Sequence, residues 1–141
     1  LQVRPTDFDA DPMLLNVLNG VVDLRTGDLR PHDPRLLLSQ MAPVVYDPTA
    51  QAPQWQAFLE RVMPDPIMRA YLQRISGYSI TGDISEQAMF IHQGPGANGK
   101  SVFLIVLHML LGDYSQIVPR TTLLAKGGDA IPTDIARMVG K

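Results

Sequence analysis

Apolar positions fall in three patterns along the chain. From Pro53 to Met63 the set Trp55, Phe58, Leu59 and Val62 follows i, i+3, i+4, i+7, which predicts an amphipathic helix. A second helix is predicted from about Pro66, a tolerated first-turn proline, to a cap near Gly77, burying Met68, Tyr71, Leu72 and Ile75. The two are expected to form a small antiparallel pair. Val102 to Leu111 is apolar nearly all round and ends at Gly112, so it reads as a helix buried against a sheet. It is too short to span a bilayer. Ala88-Met89-Phe90-Ile91-His92-Gln93 has the length and character of a buried parallel strand.

The remaining segments are turns and connections. Val21 to Leu24, then Arg25 to Asp28, then Leu29-Arg30 predict a β-hairpin, with Gly27 supplying the positive φ of its turn. Leu1 to Pro12 is polar and acidic and reads as an opening loop. Pro31, Pro34, Pro43, Pro48 and Pro53 punctuate a loop-rich connection. Gly77 to Asp83 is a turn-rich bridge into Ser85, a candidate cap for a short helical turn. Thr121 to Gly128 reads as flexible, and Thr133 as the cap of a short helix from Asp134 to Met138.

Between the predicted strand and the last long helix lies Gly94-Pro95-Gly96-Ala97-Asn98-Gly99-Lys100-Ser101, which fits the G-x-x-x-x-G-K-[ST] phosphate-binding pattern at every fixed position. Gly94, Gly96 and Gly99 let backbone N–H groups approach phosphates closely. The following helix, with Val102 in its first turn, presents its positive end to an anion. Lys100 is the catalytic candidate, placed to reach the β- and γ-phosphates, and Ser101 the candidate Mg²⁺ ligand. A nucleotidase also needs a carboxylate ending an apolar strand. After the loop, Gln116 to Pro119 and Leu123 to Ala125 lack one, so this stretch is expected to bind ATP without hydrolysing it alone.

Composition narrows the class. At 141 residues, 45% hydrophobic and 18% charged, the chain is globular and of one-domain size. It has no cysteine, which excludes a disulfide scaffold and a thiolate zinc site. A net charge of −2 gives no global basic footprint for nucleic acid. With no leading methionine, the chain reads as an internal fragment.

Taken in order, Asn19 to His32, Tyr46-Asp47-Pro48, Gly77 to Asp83 and Gly94 to Ser101 resemble the phage and plasmid primase-helicases of helicase superfamily III. Asn98 before Gly99-Lys100 is typical of that superfamily's loop. The resemblance implies an α/β protein in which a hairpin and helical linker domain, residues 1–84, precede the first strand, loop and helix of an incomplete AAA+-type ATPase core, residues 85–141. It implies an ATP-dependent DNA helicase with ATP and Mg²⁺ as cofactors. Gly94, Pro95, Gly96, Ala97, Asn98, Gly99, Lys100, Ser101 and Val102 would form the nucleotide site. The implied partners are single-stranded or forked DNA, held by a homo-hexameric ring, and no membrane. The implied location is the cytoplasm of a bacterial host. Acidic Mg²⁺ site, sensor and arginine finger would all follow residue 141.

Other candidates have plainer readings. A nucleotide kinase would set its loop near the domain's start and add an arginine-rich lid; a non-catalytic interaction module would keep the loop alone. His32, His92 and His108 lack metal-ligand spacing, and the last two read as packed or hydrogen-bonded. Trp55 reads as core rather than a base-stacking platform. Arg61, Arg69 and Arg74 read as a solvated face that could touch phosphates. Asp23, Asp28, Asp33 and Asp113 read as turn residues.

Overall fold

A computed structural model describes residues 3–119 of the chain. The segments predicted at 121–128 and 133–138 lie outside the described residues. Within them, three strands form an antiparallel sheet in the order β1 (Leu14–Val17), β2 (Gly20–Asp23) and β3 (Asp28–Arg30). Leu15 pairs with Val22, Val17 with Gly20, and Val21 with Arg30.

The predicted hairpin is β2 and β3. Gly27 adopts φ +79°, and the Thr26 and Gly27 amides donate to the Asp23 carbonyl at 3.2 and 2.7 Å. The carboxylate of Asp23, buried at 7% exposure, accepts from Arg25 N at 3.0 Å and from Arg30 Nη2 at 2.7 Å. β1 has no counterpart among the predicted elements. Its inward residue Asn16 is polar and therefore breaks any apolar period, yet its Nδ2 donates to Gln40 O at 2.9 Å.

The segment around Ala42 extends this unit. Ala42 N donates to Asn16 O and Leu18 N to Val44 O, each at 2.9 Å. Val17, Val22 and Ala42 form the core, with Leu15, Leu24, Val44, Tyr46 and Tyr114 packed round it. Asn19 pins the loop-rich connection: its amide exchanges two 2.9 Å bonds with the Tyr46 backbone. The Tyr46 hydroxyl donates to Gly27 O at 2.9 Å.

Helix α1 spans Pro53–Val62 and α2 Pro66–Ser79, both opening on proline as predicted. Asp65 caps α2 by accepting from Ile67 N at 2.9 Å. Trp55, Phe58, Leu59 and Val62 are all half-buried, so the apolar stripe of α1 faces inward.

Four expectations for this half need correction. Gly77 does not end α2: the helix runs on to Ser79, and Ile80 N closes it on Ser76 O at 3.2 Å. Of the residues expected to be buried on α2, Ile75 is, Leu72 is half-buried, and Met68 and Tyr71 are exposed. Ser85 is not the cap of its turn; Asp83 is, accepting from Ser85 N at 2.9 Å, and this bond together with the Ser85 hydroxyl holds the Asp83 carboxyl below its ordinary pKa. Residues 88–93 form no strand, because no described strand lies alongside to share a ladder with them.

Helix α3 spans Lys100–Leu111 and stops at Gly112 as predicted. It is not buried against a sheet among the described residues. Phe103 and Leu111 are buried, whereas Val102, Leu104, Ile105, Met109 and Leu110 are exposed. Its far end joins the sheet: Tyr114 OH accepts from Asn16 N at 3.0 Å and donates to Gln40 O at 3.1 Å. Asp113 is a turn residue, bonded to the Met41 backbone through both its amide and its carboxylate.

Candidate nucleotide-binding loop

The loop is framed by what precedes and follows it. In residues 88–93 side chains alternate: Phe90 and His92 turn inward, Met89 and Ile91 outward. Phe90 meets Tyr78 of α2 edge-on at 6.2 Å, and His92 lies 5.6 Å from the Phe103 ring. The chain then turns through Gly94 to Gly99 and enters α3 at Lys100. Gly99 is the N-cap, with φ +82° and no side-chain cap, so the first N–H groups of α3 have no side chain closing over them.

Gly99 is constrained from behind as well. A Cβ there would come within 2.7 Å of Val62 Cγ1 and 3.0 Å of Phe58 Cζ. One turn further along α3, Phe103 stacks on Trp55 at 5.8 Å, and Trp55 stacks on Phe58 at 5.3 Å. Helix α1 therefore runs against the direction of α3 and backs the loop. The apolar stripe on α1 was the sequence signal for this face, but nothing in its spacing named the partner.

Within the loop the Lys100 ammonium donates to Gly94 O and Pro95 O at 3.1 Å each and to Asn98 Oδ1 at 2.6 Å. It is the only charged side chain of residues 94–101. Ala97 takes a left-handed φ of 57°, and Gly96 has open space where a Cβ would lie. Ser101 is exposed in the first turn of α3, and Val102 beside it is half-exposed at 49%. The residues named from the pattern are thus contiguous and at one helix end, with Gly94 to Ala97, Ser101 and Val102 exposed and Asn98, Gly99 and Lys100 half-buried.

The other candidates are accounted for by packing. His108 Nδ1 is 2.6 Å from Ser115 Oγ, and His32 Nε2 is 3.5 Å from Leu18 O. Arg69 is not a solvated residue: its Nη1 donates to Met63 O and Pro64 O at 2.8 Å each, closing the α1–α2 link. Arg61 and Arg74 stay exposed without a side-chain partner among the described residues. Asp33 caps a short turn with Arg35, whose guanidinium lowers its pKa, and Asp28 N bonds Thr26 Oγ1 at 3.2 Å. A cleft of about 500 Å³ opens between the three helices, lined by Trp55, Leu59, Arg69, Leu72, Phe103 and Leu107. No described helix is long and apolar enough to cross a membrane.

Residues 1–64 match the family described as D5 N terminal like. The match covers the sheet, the proline-rich connection and α1, and ends before α2. Two relatives align over more of the chain. One is named "Putative helicase", from Acanthamoeba polyphaga mimivirus, 31% identical over 111 residues, covering 76% of this chain and 12% of the relative. Another is named "Putative primase", from African swine fever virus, 27% identical over 113 residues with the same two coverages, 76% and 12%. The chain thus spans about 12% of the length of these relatives. Both are viral proteins; neither comes from a phage or plasmid, the origins that the sequence resemblance implies.

Proposed function

We propose that this chain carries the ATP-binding loop of a viral replicative DNA helicase, in which a D5 N terminal like segment and a helical linker lead into an AAA+-type motor. The observation that carries this reading is the order along the chain: an apolar segment, a loop fitting the phosphate-binding pattern at every fixed position, and a helix that starts at its lysine. Relatives named as a helicase and a primase align over the same region, which supports a role in DNA replication.

The residues present fit a Mg²⁺-triphosphate. The uncapped first turn of α3 offers N–H donors and the positive end of the helix to the phosphates. Lys100 supplies a cation, and Ser101 an exposed hydroxyl suited to Mg²⁺. When bound, the metal ion neutralises charge on the β- and γ-phosphates. This chain's part is to bind and orient the nucleotide. Hydrolysis draws on an acidic site, a sensor and an arginine finger from a complete ring. DNA, as single strand or fork, and a homo-hexamer belong to the same proposal for the whole protein, as does the cytoplasm of the host cell.

Calorimetric titration of the chain with ATP–Mg²⁺ tests the reading. Weak binding without turnover is expected, and Lys100→Ala loses it with an unchanged circular dichroism spectrum. Equal affinity in that variant would mean that the loop is not used. Robust phosphotransfer to a small nucleotide would favour the kinase reading instead.

A further inference from the structure

An ammonium group carries three hydrogens and accepts none. Lys100 directs its ammonium at three acceptors, Gly94 O, Pro95 O and Asn98 Oδ1, and the last contact is the shortest at 2.6 Å. Two of the three are backbone carbonyls, fixed by the turn. The third sits on a side chain that can rotate away. The Asn98 amide nitrogen also lies across Gly94, in the space that a Cβ there would fill. Asn98 therefore bridges the start and the end of the loop and ties Lys100 to both.

Phosphate oxygens reach this ammonium only by replacing one of its acceptors, and Asn98 Oδ1 is the one that leaves without backbone movement. We propose that Asn98 is a positioning residue that holds Lys100 across the loop, and that the polyphosphate of a nucleoside triphosphate displaces it. The inference rests on the reading of residues 94–101 as a triphosphate site. It makes Asn98 a competitor of the ligand for one lysine hydrogen.

Competition gives a signature that a merely structural role lacks. Asn98→Ala removes the competing acceptor, so triphosphate binding tightens. Asn98→Asp replaces a neutral acceptor with a carboxylate, which holds an ammonium more strongly and repels phosphate, so binding weakens. A residue needed only for loop shape would weaken binding in both variants.

The experiment uses the full chain, wild type, Asn98→Ala and Asn98→Asp, with Asn98→Ser as a second truncation that keeps a small polar group. Calorimetry with ATP–Mg²⁺ and with inorganic tripolyphosphate gives affinities, and acylation at Lys100, read by peptide mass spectrometry without ligand, gives its accessibility. The expected result is about tenfold or more tighter binding for alanine and more than about tenfold weaker binding for aspartate, following the strength of a hydrogen bond to a charged group. Lys100 acylates several-fold faster in the alanine and serine variants and slower in the aspartate variant. Weaker binding in both alanine and aspartate variants, or equal acylation in all four proteins, overturns the proposal. If wild type binds neither ligand, the triphosphate reading fails, while the acylation rates still decide whether Asn98 holds Lys100.

Discussion

Gly99 of the phosphate-loop pattern lies against Val62 of α1 so closely that a Cβ would sit 2.7 Å from Val62 Cγ1. The glycine meets two demands at once, a left-handed φ of 82° and a close approach of helix to loop. Gly99→Ala is expected to cost about 2–4 kcal/mol, from backbone strain plus overpacking. Adding Val62→Ala recovers the packing part and leaves the strain. Urea unfolding of the two variants checks this; full recovery in the double variant would mean that φ is not strained.

Tyr114 links the far end of α3 to β1 by accepting from Asn16 N and donating to Gln40 O. Tyr114→Phe strips an acceptor from a buried N–H and is expected to destabilise by about 1–3 kcal/mol, with faster amide exchange at Asn16. Burial raises the Tyr114 pKa above its ordinary value. The folded state then holds this proton more tightly than the unfolded chain. Its contribution is complete below about pH 10 and is lost as pH rises past that value. The phenylalanine variant should lack this alkaline loss.

How much of this was legible beforehand depended on whether one chain segment held the whole cause. Helices α1 and α3, the hairpin turn at Gly27 and the loop pattern each rest on local spacing, and local spacing is what a sequence displays. The β1 strand was not legible, because Asn16 is a buried polar residue whose partners lie 24 and 98 positions away. Gly77 looked like a stop because glycine favours helix ends, but the stop is set at Ile80 by bonds of the last turn. The absence of a strand at 88–93 has a related cause. The apolar run there met the composition of a buried strand, but a strand exists only with a neighbour, and the described residues offer none. At the loop, residue identities were legible, while the backing from Phe58 and Val62 and the Asn98–Lys100 bond are tertiary and were not.

Asp23 concentrates the hairpin's polar contacts on a buried carboxylate. Asp23→Ala leaves Arg25 N without its acceptor and Arg30 without its partner, at an expected cost of about 1–3 kcal/mol. Asp28→Ala, on the exposed side of the same turn, should change stability by less than about 0.5 kcal/mol. Thermal melts of the pair separate the roles; equal losses would mean that the turn itself, not the buried carboxylate, is limiting.

Asp11 accepts from both terminal nitrogens of Arg25, at 2.7 and 3.2 Å, and from Met13 N at 3.0 Å. The Arg25 bond first, and the Met13 amide second, lower its pKa. A carboxyl whose folded pKa is depressed adds stability above its unfolded value near 3.9, and that stability drains away as pH falls through the folded value. Asp11→Asn should therefore flatten the acid limb of stability below about pH 4. Asp33, Asp47 and Asp83 are lowered too, so part of the slope remains. An unchanged acid limb would show that the Asp11–Arg25 pair is too solvated to matter.

Trp55 stands between Phe58 and Phe103, at ring separations of 5.3 and 5.8 Å and near-parallel angles of 24° and 17°. It is the only tryptophan of the chain, so its emission reports on this stack alone. Phe58 also touches the space beside Gly99, and Phe103 lies one turn into α3, so a ligand that shifts the first turn of α3 must shift the rings. ATP–Mg²⁺ is expected to change Trp55 emission saturably, and Lys100→Ala to abolish the change. Trp55→Phe should keep nucleotide affinity by calorimetry and cost less than about 1.5 kcal/mol, while Trp55→Ala, which empties the centre of the stack, should cost about 2–4 kcal/mol. A saturable emission change that survives in Lys100→Ala would put the ligand somewhere other than the loop, and the cleft lined by Trp55, Leu59 and Phe103 would be the place to look.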